Sequence, residues 1–176
     1  MHRFYCPSLP SDLIANRVTG LTVQLDDAEA HHARKVMRLK PGDGIRLFNG
    51  KGTTATGTMP AYNHGAVVQV NATEVVDPMK PAIDLAVALP KGARVDDMLV
   101  QLSQVGVDRI IPLATERSTV EPRSSKLDRL ARLAVESAKQ SGRAFVIEVD
   151  EQTPLLAVLE KPYDLKLVAD PYANPV

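Results

Sequence analysis

The segment "DPMKP", residues 77 to 81, separates two different rhythms of hydrophobic residues. Two prolines within five residues remove ladder donors and interrupt any helix, so 77–81 reads as a linker between domains at 1–76 and 82–176. Before it, short runs of β-formers surround one helical stretch. "HRFYCP" and "LTVQL" read as strands, "GIRLFNGKGTTATGTM" as a hairpin turning at Asn49-Gly50, and "GAVVQVNATEVV" as a further strand or bent pair. The helix is "DDAEAHHARKVMRL", with Asp26 as N-cap, Glu29 three residues on, and Pro41-Gly42 as its stop. A small, mostly antiparallel barrel with one covering helix is the expected packing.

After the linker, apolar strands alternate with amphipathic helices. "AIDLAVAL", "DRIIPLAT", "FVIEV" and "DLKLVAD" are the expected strands; "ARVDDMLVQLSQVG", "SKLDRLARLAVESAKQSG" and "TPLLAVLE" are the expected helices. That alternation implies βαβ units and a parallel sheet. In the long helix, Ser125 is the expected cap with Asp128 completing the box. Leu127, Leu130, Ala131, Ala134 and Ala138 form the inward stripe, and Arg129, Arg132, Glu136, Lys139 and Arg143 the outward one.

Charge is distributed unevenly along a neutral chain. Residues 1–60 carry eight basic and five acidic side chains (+3), 61–116 four and seven (−3), 117–143 seven and three (+4), and 144–176 two and six (−4). Six of the lysines and arginines lie within residues 31–52 against one acid. Two positive blocks suggest two patches facing one polyanion, the alternative being two solvated helix faces. A single cysteine, Cys6, and the lack of Cys/His ligand spacing argue against disulfide and structural zinc chemistry. The N-terminus has no apolar h-region and no window approaches the ~20 apolar residues of a membrane span. The expected location is the cytoplasm, with no membrane partner. No Gly-rich phosphate loop, nucleophile elbow or metal motif supports a small-molecule α/β enzyme.

Several stretches, "RFYCP", "HHARKVMRLKPGD", "LFNGKG", "LPKG", "GVDRIIPLATERS" and "AKQSGR", occur in the order and spacing of the bacterial 16S ribosomal RNA uracil-N3 methyltransferase family, which the whole chain resembles. The resemblance implies an N-terminal PUA-like RNA-binding β-barrel followed by the first part of a SPOUT-type parallel α/β methyltransferase domain. It further implies S-adenosylmethionine as methyl donor, the small ribosomal subunit as partner, and a homodimer.

By the same resemblance, the RNA-binding candidates are Arg3, Tyr5, His31, His32, Arg34, Lys35, Arg38, Lys40 and Lys91. Arg34, Lys35, Arg38 and Lys40 would meet phosphates, which fixes position rather than reading sequence. His31 and His32 would stack on or hydrogen-bond to RNA, or support the domain junction. The catalytic candidates are Glu116, Arg117, Gln140 and Arg143, with Ser118 beside them in "TERS". Arginine forks suit a phosphate or an anionic uracil edge, Glu116 would orient an arginine, and Gln140 would bond the base; the competing role is a network tying the "TERS" loop to the next helix. The family's paired Lys and Glu before "GV" are here Gln101 and Gln104. Its Gly-Pro-Glu-Gly-Gly and Leu-Arg-x-Glu-Thr-Ala segments, which form the cofactor pocket and knot, are not found before Val176. The expectation is therefore a truncated or partly recorded enzyme whose 176 residues alone do not bind the cofactor, with a non-catalytic RNA-binding protein as the alternative.

Overall fold

The computed structural model describes residues 1–11, 20–59, 66–116 and 124–170. Its first half is a five-stranded sheet in the order β1-β3-β4-β5-β2, formed by β1 (His2–Tyr5), β2 (Thr22–Gln24), β3 (Gly44–Phe48), β4 (Thr53–Thr58) and β5 (Val67–Val75). All pairings are antiparallel except β1 with β3. The two edge strands β1 and β2 do not pair, so the expected barrel is realised as a half-barrel. Alternation sends Phe4, Ile45, Leu47, Ala55, Val68 and Val70 inward, where they meet Ala33 of the covering helix.

That helix starts as the sequence indicates. Asp26 accepts the Glu29 backbone N–H at 2.8 Å and caps α1 (Asp27–His31). Its end differs from the expected one, because α1 continues into a π-helical turn, His32–Val36, and stops there. The Met37 N–H bonds the His32 carbonyl and the Leu39 N–H reaches Ala33, which sets Arg38 at φ 52°. Extra residues in a turn rotate everything beyond them, so periodicity alone misplaces Arg38.

The second half carries the parallel order β6-β7-β8, with β6 (Asp84–Val87), β7 (Arg109–Ala114) and β8 (Glu148–Val149); β9 (Thr153–Pro154) also pairs with β7. The helices α2 (Arg94–Val105) and α3 (Ser124–Ser141) pack on this sheet through Val95, Leu99, Leu130 and Ala134, and α4 (Leu155–Glu160) follows β9. Gly106 ends α2 in the left-handed conformation, φ 100°, and caps its C-terminus.

Four expectations are corrected in this half. Ser125 does not cap α3, which already includes Ser124; the inward stripe takes Ser137 and leaves Ala131 exposed. "FVIEV" forms a ladder only at its last two residues. "DLKLVAD" forms no strand: Tyr163 donates to Asp84 of β6 at 2.8 Å, but Leu165, Leu167 and Val168 are 72, 83 and 84% exposed. An apolar run becomes a strand only where a neighbouring ladder satisfies its backbone, and none of the described residues supplies one.

The two sheets meet at the tip of the β3–β4 hairpin. Asn49 closes the turn by bonding Thr53, while its buried side chain accepts from the Lys51 and Thr53 N–H groups and donates to the Leu9 carbonyl and Ser11 Oγ. The tip then continues into the second half: the Val146 N–H bonds the Gly50 carbonyl at 3.0 Å, and the Gly52 N–H bonds the Ala144 carbonyl at 3.2 Å. At Gly52, φ is 100° and a Cβ would stand 2.7 Å from the Phe145 ring, so this approach needs glycine. "LFNGKG" is thus a docking element as well as a turn.

Candidate nucleic-acid interface

The basic segment after α1 presents Lys35, Arg38 and Lys40 to solvent, with Arg34 half-buried beside them. Buried Ala33 and Leu39 hold the backbone down, and the irregular π turn and left-handed Arg38 turn the intervening cations outward. His31 is exposed. His32 is half-buried, and its ring packs edge-on against core Phe4 at 6.0 Å and 84°.

The outward stripe of α3 is mostly engaged within the protein. Arg129 forms a two-pronged ion pair with Asp96 of α2, at 2.6 and 2.8 Å. Lys139 joins Glu136, at 2.8 Å, and Glu29 of α1. Arg143 donates to the Ser103 carbonyl of α2 at 2.6 Å. Of the stripe's cations, Arg132 is left exposed, so the +4 block contributes less free charge than its sequence implies. The Lys139–Glu29 contact nevertheless puts α3 beside α1.

Burial pushes the Glu29 carboxyl up, an effect that Lys139 opposes and that Glu136 and Asp26 reinforce. For Lys139, burial acts downward, but the hydrogen bonds and charges of Glu136 and Glu29 outweigh it and raise the ammonium. The pair is thus a tie across the junction between α1 and α3.

Arg3 is half-buried at the same junction. Its guanidinium lies 4.3 Å from the centre of the Phe48 ring and donates to the Arg143 carbonyl at 2.5 Å. Tyr5 leans on Phe48 at 5.4 Å, and burial raises its phenol. An open cleft of about 660 Å³ runs between the outer face of the half-barrel and residues 142–145, with Arg3, Arg46 and Arg143 in its wall. Arg46 was not singled out in the sequence; the signal was there, since it precedes "LFNG" at the alternating position that points away from the core.

Of the described catalytic candidates, Glu116 and Arg143 stand at opposite rims of the parallel sheet. Glu116 lies beyond β7, at the carboxyl end of the sheet, where Lys91 also stands exposed after β6. Arg143 lines a second cleft with Asp84, Asp108 and Arg109, at the sheet's amino end. Six residues of β7 separate the two rims, roughly 16 Å at the rise of a strand. Gln140 is exposed on the last turn of α3, and Arg117 and Ser118 lie outside the described residues. A helix after a parallel strand returns the chain to the opposite rim, which is why Glu116 and Arg143 diverge. Among the described residues, neither of these two clefts lies at the carboxyl rim. Among them, no metal-ligating cluster occurs and no helix is long and apolar enough to cross a membrane.

A family model described as an RNA methyltransferase domain matches residues 78–175. This chain belongs to the RNA methyltransferase family. A second model, an RNA methyltransferase PUA domain, matches residues 25–59, in agreement with the half-barrel. A curated relative, "Ribosomal RNA small subunit methyltransferase E" of Synechocystis sp., is 30% identical over 130 residues, 74% of this chain and 43% of that protein. The protein of the same name from Rickettsia conorii is 28% identical over 82% of this chain and 59% of its own length. The chain thus spans about half the length of the curated relatives it matches. Among solved structures, a Neisseria gonorrhoeae ribosomal RNA small subunit methyltransferase E bound to S-adenosyl methionine superposes with a TM-score of 0.79 at 28% identity, covering 93% of this chain and 66% of that one. A probable rRNA-methyltransferase from Porphyromonas gingivalis gives 0.74 at 26%, covering 92% and 65%. The RNA methyltransferase architecture expected from the sequence is the one found.

Proposed function

We propose that this protein takes part in S-adenosylmethionine-dependent methylation of a uracil N3 in 16S ribosomal RNA, in the cytoplasm and as a homodimer, with the small ribosomal subunit as partner. The observation that carries this reading is the match of residues 78–175 to the RNA methyltransferase domain, placed behind a half-barrel whose basic segment projects Lys35, Arg38 and Lys40 into solvent. The names of the relatives support the ribosomal substrate, and the S-adenosyl methionine in the Neisseria structure supports the donor.

Uracil N3 is weakly acidic, so transfer needs the base held in line with the donor methyl and its developing negative charge stabilised. In this reading the exposed cations, Lys91 among them, hold backbone phosphates, while Glu116, Arg117 and Gln140 remain the catalytic candidates. Arg143 acts by positioning, since its guanidinium braces α2 through the Ser103 carbonyl. The test is to delete the gene, restore it, and measure N3-methyluridine in small-subunit RNA by mass spectrometry. Loss on deletion and return on restoration are expected; an unchanged methyl mark would overturn the proposal.

A further inference from the structure

Arg3 of β1 and Arg46 of β3 are register partners in the parallel pair, so their side chains leave the sheet on the same face. Like charges directly opposed across a ladder destabilise it. Arg3 is lowered below the usual arginine range, first by burial and then by the charge of Arg46. It cannot swing away, because Phe48 lies under its guanidinium and the Arg143 carbonyl holds one of its nitrogens. Arg3 Nε is buried without an acceptor. Arg46 is exposed and, among the described residues, forms no ion pair. Glu74 and Asp77 line the same cleft, but neither lies within 4 Å of either guanidinium. Thr56, the partner of Arg46 on β4, adds a hydroxyl on that face.

We propose that the cleft between the half-barrel and residues 142–145 is an anion site in which Arg3 and Arg46 together take one phosphodiester group of bound RNA. A tetrahedral oxyanion gives the two guanidiniums the shared counter-charge they lack, and its oxygens accept from both forks and from the Thr56 hydroxyl. The site stands apart from the exposed 35–40 segment, at the joint between the two sheets. RNA held there would clamp that joint. This inference rests on the RNA-binding part of the proposed function.

The test uses Arg46→Glu, with Arg94→Glu as a charge-matched control on the exposed first turn of α2. Affinity for a single-stranded ribosomal RNA fragment is measured against salt, and melting temperature with and without inorganic phosphate. Expected for Arg46→Glu is a higher melting temperature without ligand, since repulsion beside Arg3 becomes attraction. RNA affinity should fall about tenfold or more, and the salt slope should lose about one unit. The control should change affinity less than about threefold. If wild-type protein fails to bind RNA, the proposed function falls with it. If the wild type binds and both variants lose affinity equally, or neither does, the anion site alone is overturned. Phosphate protection that depends on Arg46 without any effect on RNA would assign the cleft to free phosphate and also overturn the proposal.

Discussion

Lys139 of α3 donates to Glu29 of α1, joining a helix of the second half to the helix that covers the first. Their side chains are 9 and 10% exposed, and Glu136 supplies a second acceptor to the ammonium. Removing Lys139 leaves the Glu29 carboxylate buried without compensation. Lys139→Ala is expected to cost about 3 kcal/mol, the low end for a broken buried pair, because the site keeps some contact with water. Glu29→Gln should cost less, since the amide oxygen still accepts from Lys139. The sign with pH follows from the raised carboxyl: the folded state binds its proton before the unfolded state does, so stability rises as pH falls through that window. The Lys139→Ala deficit should therefore shrink on acidification. Denaturant melts of both variants at neutral and mildly acid pH check this; a deficit independent of pH would mean that Glu29 is not the group left unpaired.

Gly52→Ala probes the hairpin tip. A Cβ there meets the Phe145 ring at 2.7 Å and the Val76 carbonyl at 2.8 Å, at a φ of 100° that alanine adopts at a cost. A loss of at least about 2 kcal/mol is expected from strain and displacement together. Because the tip joins the two sheets, hydrogen exchange should rise at Val146 and Gly52 before it rises in the β3–β4 ladder. Uniform loss of protection would contradict a local docking role.

Arg143 illustrates what the sequence makes legible and what it does not. "QSGR" marked a helix end and an arginine beyond it, and both are present. Which rim that arginine reaches depends on the return path of α3, a long-range property that no local pattern encodes. The N-cap at Asp26 and the Asn-Gly turn were readable because their partners lie within four residues. Conversely, the bonds of the Asn49 side chain to Leu9 and Ser11, the pairing of Arg3 with Arg46 and the tie from Lys139 to Glu29 join residues distant in sequence. The basic stripe of α3 misled for the same reason: an arginine facing Asp96 and one facing open water look alike until tertiary packing separates them.

Arg143→Lys follows from that placement. The ammonium retains the charge but cannot keep the same reach and plane toward the Ser103 carbonyl. Stability should fall by about 1 kcal/mol, the scale of one charge-assisted hydrogen bond partly replaced. Any loss of methylation in cells carrying this variant should track the lowered melting temperature. A large activity loss at unchanged stability would instead place Arg143 at the reacting base.

Arg38 holds a left-handed backbone, φ 52°, where glycine is the usual residue after a helix. The Leu39 N–H to Ala33 carbonyl bond at 3.0 Å fixes that conformation, so the side chain leaves the surface in a set direction. A non-glycine residue costs about 1 kcal/mol there. Arg38→Gly should relieve that strain and raise stability by about 0.5–1 kcal/mol, while removing one cation from the exposed 35–40 segment. If the arginine is retained for a phosphate, stability and function move in opposite directions: the melting temperature rises, RNA affinity falls, and the salt slope loses about one unit. Lys35→Ala, at an exposed position without strain, should lower affinity comparably and leave the melting temperature nearly unchanged. Thermal melts and salt titrations of the two variants decide the matter, and an Arg38→Gly protein that melts higher yet binds RNA with wild-type affinity would show that the strained arginine serves something other than the nucleic acid.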